Sequence, residues 1–104
     1  ESRVRELLSS LEGRPILIHG CGEHTRIIWN AIRATHARIV GLADDDPARA
    51  GQQFEALPIL PPGNVTGVGA TDVVISSSLH EAAIWQRRGV YEAQGLRVHR
   101  LYAA

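Results

Sequence analysis

Apolar positions along this chain recur in two periods, one suited to helices and one to buried strands. Val4, Leu7, Leu8 and Leu11 follow the i, i+3, i+4, i+7 spacing of a one-sided helix that Gly13 can end. Residues 1–13 are therefore expected to form an N-terminal helix lying on a sheet. Pro15 to His19 is a short, Ile-rich apolar run, the composition of a parallel strand covered on both faces, and it reads as the central strand. From His24 to about Thr35, positions Ile27, Ile28, Ala31, Ile32 and Ala34 make a wide apolar face, while Arg26, Asn30 and Arg33 point elsewhere. Ala37 to Ala43 supplies the next strand. A strand, crossover helix and strand in succession are right-handed and parallel in nearly all proteins.

The second half is more broken. Asp46-Pro47-Ala48-Arg49 has an N-cap residue followed by Pro at the first helical position, but Gly51 leaves room for at most a turn or so of helix. Where a full second crossover helix would lie, the chain is abbreviated. Leu57 to Leu60 predicts a short strand, Pro61-Pro62-Gly63-Asn64 a loop, and Ala70 to Ser76 a further buried strand around Val73, Val74 and Ile75. Ser78-Leu79-His80-Glu81 matches a capping box, which predicts a helix through about Gln94 with Gly95 ending it. Leu96 to Leu101 alternates in the manner of a half-exposed last strand. The pattern as a whole predicts one α/β domain over 1–104, a three-layer Rossmann-like arrangement with a mostly parallel sheet of four or five strands and helices on both faces.

The chemistry concentrates where the first strand meets its helix. Gly20-Cys21-Gly22-Glu23-His24-Thr25 follows the central strand directly, and Asp44 closes the next apolar run nineteen residues past Thr25. This is the layout of a phosphate-cradling turn in a βαβ unit. Glycines at 20 and 22 suit a sharp strand-to-helix turn that needs φ above zero and a backbone that a diphosphate can approach with no Cβ in the way. Amides at the helix start point their hydrogens toward such an anion, so no basic side chain is obligatory. Thr25 stands where a third Gly would allow tight helix packing, and its hydroxyl can cap the helix or bind phosphate. The competing reading is that two glycines simply make a tight turn.

Asp44, at the end of its strand, can accept hydrogen bonds from both ribose hydroxyls and repels a 2′-phosphate, which favours NAD over NADP if the ligand is a dinucleotide. Asp45 can share that role, whereas Asp46 is explained as the cap before Pro47. Ser76 and Ser77 follow the later strand at the same sheet edge and are expected to line the site; Ser78 is expected to be a cap. Cys21 and His24 do not make a catalytic or metal site by themselves, because a nucleophile needs an oriented base and zinc needs three or four converging ligands. His24 can still donate to an anion or a substrate hydroxyl, and Glu23 lies beside it. The other histidines, at 19, 36, 80 and 99, show no paired spacing and are read as structural or surface residues. Trp29 and Trp85 are read as packing residues and Arg87-Arg88 as a solvated helix surface.

Composition narrows the partners. Eleven Arg balance eleven acidic residues, and Lys is absent, so no positive excess drives binding to nucleic acid or an anionic membrane. The single Cys cannot form an internal disulfide, and no run approaches the roughly 18 apolar residues of a spanning helix. A cytoplasmic setting without membrane insertion is expected. The absence of Met suggests a fragment of a longer protein, whose remainder is an expected partner.

Ile-His-Gly-Cys-Gly-Glu-His-Thr, then Ile-Val-Gly-Leu-Ala-Asp-Asp-Asp-Pro, then Val-Val-Ile-Ser-Ser-Ser together resemble a widespread Rossmann-like bacterial domain. It is similar to the N-terminal domain of the left-handed β-helix nucleotide-sugar acetyltransferases, and to domains of polysaccharide-biosynthesis proteins with NAD-like folds. The likeness runs from Pro15 to Tyr102. It implies that Gly20, Gly22 and His24 shape the turn, that Asp44 and Asp45 approach the ribose or base, and that Ser76 follows the neighbouring strand. The acetyltransferase hexapeptide repeats are absent, as is the Tyr and Lys pair of short-chain dehydrogenases. The leading expectation is a nucleotide or nucleotide-sugar binding module, non-catalytic by itself, within a larger protein. One alternative is the NAD-binding part of an oxidoreductase or epimerase. Another is a ligand-free structural or interaction module, with a Trp or the last strand at an interface with another protein or with a second copy in a homodimer.

Overall fold

In the computed structural model, which describes residues 2–102, the first helix and strand form where the apolar spacing places them. Helix α1 spans Ser2–Ser10 and buries Val4 and Leu8; Gly13, at φ +83°, turns the chain into strand β1, Pro15–His19. Glu1, the first residue of the expected helix, lies outside the described residues. Helix α2 (Glu23–Arg33) buries Ile28, Trp29, Ala31 and Ile32, and strand β2 (Arg38–Ala43) returns parallel to β1. Residues 46–51 form turns rather than a crossover helix. Asp46 still caps as expected, its Oδ1 accepting the Ala48 amide at 3.0 Å.

The sheet has six strands, not four or five. A two-residue strand, β3 (Gln53–Phe54), pairs antiparallel with β4 (Leu57–Leu60). Their connection places both Glu55 and Ala56 at positive φ, 51° and 65°. A two-residue hairpin turn of this kind is normally announced by Asn-Gly or Asp-Gly, so Glu-Ala hides it from the sequence. A short 3₁₀ turn at Thr66–Val68 leads to β5 (Asp72–Ile75), and β6 (Arg97–His99) is the last strand. The order is β3-β4-β2-β1-β5-β6, with β1 central and β6 at one edge; every pairing except β3 with β4 is parallel.

Alternate strand residues feed two apolar clusters, as the two-residue period requires. Ile16, Ile18, Leu42 and Val74 pack with Val4, Leu8, Trp29 and Ile32. Leu17, Ala43 and Val73 pack with Val65, Tyr91 and Leu96.

The expected helix from Ser78 to Gln94 is instead two short helices, α3 (Glu81–Gln86) and α4 (Gly89–Glu92). Gly89 weakens the helix between them, and tight i→i−3 bonds from Arg87 to Ile84 and from Arg88 to Trp85 close the first. Nor does a capping box form: the residue before α3 is His80, with no side-chain cap bond. Glu81 is buried, and its carboxylate accepts the amides of Leu101 and Tyr102 at 2.8 and 2.9 Å. Those amides lie just beyond the last strand. The Ser hydroxyl that serves this loop is Ser77, accepting the His80 amide at 2.9 Å, rather than Ser78.

Candidate functional site

The ends of β1, β2 and β5 meet under a cavity of about 670 Å³. Of the residues expected there, Gly20, Gly22, Glu23, His24, Asp44, Asp45, Ser76 and Ser77 line it. Cys21 and Thr25 do not: the Cys21 side chain is packed in the larger apolar cluster, and Thr25 is fully buried. The chain runs outward from β1 to β2 and β4 on one side and places β5 on the other, so the cavity sits where strand order reverses. Ligands of open α/β sheets collect at such a point.

The two glycines of the turn answer to different demands. Gly20 has φ +112°, and a Cβ there would lie 2.8 Å from the carbonyl oxygen of Ser76. Its role is to let the turn pass close to the end of β5. Gly22 has φ −104°, accessible to any residue, and a Cβ would meet nothing within 4 Å. The space it leaves belongs to the cavity. Among the described residues no acceptor takes the Gly22 and Glu23 amides at the start of α2. The Cys21 amide, in contrast, donates to Asp44 Oδ2 at 2.8 Å, and Arg49 donates to the Cys21 carbonyl. Asp44 Oδ1 accepts the Asp46 amide at 2.8 Å, so this carboxylate is anchored by two amides while still facing the cavity.

Two polar chains converge on the site. In the first, Thr25 Oγ1 lies 2.6 Å from the Gly20 carbonyl and 2.7 Å from Ser76 Oγ. His24 Nδ1 lies 2.8 Å from Ser76 Oγ, and His24 Nε2 lies 2.5 Å from the Tyr102 hydroxyl. A carbonyl only accepts, so the Thr25 proton goes to Gly20 and Ser76 donates to Thr25. His24 Nδ1–H then donates to Ser76, and Tyr102 donates to Nε2. This ordering makes His24 a donor toward Ser76 rather than a base, so the pair does not activate a nucleophile.

The second chain was not legible as a site. His19 is buried; Tyr91 donates to its Nδ1, and its Nε2–H donates to Asp45 Oδ2 at 3.0 Å. Burial lowers the His19 pKa from 6.5 against the opposing pull of Asp45, which keeps the ring neutral with one donor and one acceptor. Burial, reinforced by Asp45 and Asp44, raises the Tyr91 phenol and keeps it a donor. Arg87 closes the chain, its Nη2 donating to Asp45 Oδ2 at 2.9 Å. A His ending an apolar strand reads as core, and an Arg pair on a helix reads as solvated, so neither betrayed this arrangement.

Ile27 and Leu79, 71% and 83% exposed, add apolar walls at the rim. The cavity thus combines three carboxylates (Glu23, Asp44, Asp45), one guanidinium, hydroxyls, and two unanswered amides. Among the described residues no group of three or more His, Cys, Asp or Glu side chains is arranged to hold a metal ion. Nor is any helix there long and apolar enough to cross a membrane. Trp29 packs edge-on against Phe54, with ring centroids 5.0 Å apart, and Trp85 lies under the guanidinium of Arg88 at 4.3 Å. Both are packing residues, as expected.

No protein-family model matches the chain, and no curated protein sequence matches it.

Proposed function

We propose that this chain is a nucleotide or nucleotide-sugar binding domain of three-layer, Rossmann-like design, serving a larger protein of polysaccharide biosynthesis and not catalytic by itself. The observation that carries the reading is the presence of unanswered Gly22 and Glu23 amides and an Asp44 carboxylate in one cavity at the strand-order reversal. The amides suit a diphosphate and the carboxylate suits ribose hydroxyls. Glu23, Asp44 and Asp45 together disfavour an additional 2′-phosphate, so NAD is preferred to NADP on the dinucleotide alternative. A ligand-free scaffold is the rival, favoured by the Cys21 amide already being taken by Asp44.

Thermal unfolding against NAD, NADP, UDP-glucose, coenzyme A and S-adenosylmethionine separates these readings. One class is expected to raise the melting temperature, by about 10 °C at roughly 100 times its Kd. Gly22→Val, which puts a branched side chain beside the turn amides where a Cβ meets no protein atom within 4 Å, should abolish the shift, and Asp44→Asn should reduce it for ribose-bearing ligands. No response to any compound overturns the nucleotide reading and favours the scaffold.

A further inference from the structure

The cavity has an imbalance of charge: three carboxylates face one guanidinium. An anionic ligand therefore needs more than two backbone amides to overcome the repulsion. Arg87 is the side chain placed to supply it. Among the described residues its side chain makes one hydrogen bond, from Nη2 to Asp45 Oδ2, and a guanidinium carries five N–H donors in a planar fork. Surface ion pairs of this kind contribute little stability, and both side chains here are about half exposed. The consequence of the pair is position. Asp45 is itself held by His19, and His19 by Tyr91, whose ring is 1% exposed in the second apolar cluster. Arg87 is thereby braced from the interior, just past the end of α3, and lines the same cavity as the start of α2.

We propose that Arg87 is the anion-binding side chain of this cavity, receiving the diphosphate of the ligand on guanidinium donors that the Asp45 pair leaves free. Asp45 and His19 act as positioning residues. The proposal deepens the nucleotide reading and rests on it for the identity of the whole ligand. For the anion alone it can be tested separately, with inorganic pyrophosphate as the probe.

Calorimetric titration of the chain with pyrophosphate should give saturable binding that Arg87→Gln weakens about tenfold or more, the loss expected for charge-assisted hydrogen bonds. Arg88→Gln removes the same charge from the neighbouring position, which stacks on Trp85 and does not line the cavity. It should leave the affinity within about twofold. No pyrophosphate binding by the unmodified chain, no effect of Arg87→Gln, or equal weakening by both variants overturns the assignment. If Arg87→Gln alone removes pyrophosphate binding while no nucleotide shifts the melting temperature, Arg87 stands as the anion site and the nucleotide reading falls.

Discussion

The two ends of the sheet carry similar side chains in opposite states. At the start of β5, Asp72 is fully buried and every neighbour is committed to it: Thr71 at 2.6 Å, Arg14 at 2.7 Å and His99 at 2.7 Å. At the far end, Asp45 also meets a His and an Arg, but it is half exposed and borders a cavity whose amides and guanidinium keep capacity in hand. A buried polar group must be satisfied by the protein itself. A polar group on a cavity can remain open to a ligand. The first cluster is closed on itself, and the second leaves polar groups facing the cavity.

The largest expected effect is at the committed end. Asp72→Ala takes the shared carboxylate from Arg14 and His99, leaves a buried gap and should cost about 3 kcal/mol, read as a lower urea midpoint. Burial alone would raise the Asp72 carboxyl; the bonds from Thr71, His99 and Arg14 overcome it and hold the pKa below 3.8. A lowered folded pKa gives stability that is complete above the unfolded value and is lost as pH falls through the folded one. Acid should therefore destabilise Asp72→Asn less steeply than the unmodified chain below about pH 4.

An intermediate effect separates the glycines. Gly20→Ala forces a side chain into left-handed backbone against the Ser76 carbonyl and should cost roughly 2 kcal/mol. Gly22→Ala should stay within about 0.5 kcal/mol, since its backbone and surroundings accept a methyl group. Equal costs at both positions would remove the distinction between a glycine the fold needs and one the cavity uses.

The smallest effect is in the buttress of the open end. Tyr91→Phe leaves His19 Nδ1 without its donor and should cost about 1 kcal/mol by chemical denaturation. Because the folded His19 pKa lies below 6.5, the unfolded chain takes up the proton first, and stability should fall as pH drops through that value. His19→Gln should flatten that part of the profile; an unchanged slope would mean that His19 does not titrate on unfolding.

The central elements were legible because local pattern and global role agree. The Ile-rich run from Pro15 has the composition of a buried strand, and the apolar runs that become β2 and β5 also read as strands. The turn at 20–22 was visible as glycine spacing, and Asp44, Asp45, Ser76 and Ser77 were placed on the cavity by their positions after strands. Legibility failed where a residue's partner is distant in the chain. Glu81 reads as a cap three residues from a Ser, yet it serves amides twenty and twenty-one positions away. His19 and Arg87 read as core and surface, yet they meet on Asp45. Periodicity and turn chemistry act over a few residues, so the central strand, the first crossover helix and the glycine turn could be read from sequence alone, whereas the full six-strand order could not. Which polar groups are used up and which are left facing the cavity was decided only when tertiary packing brought side chains from separate elements within hydrogen-bond reach.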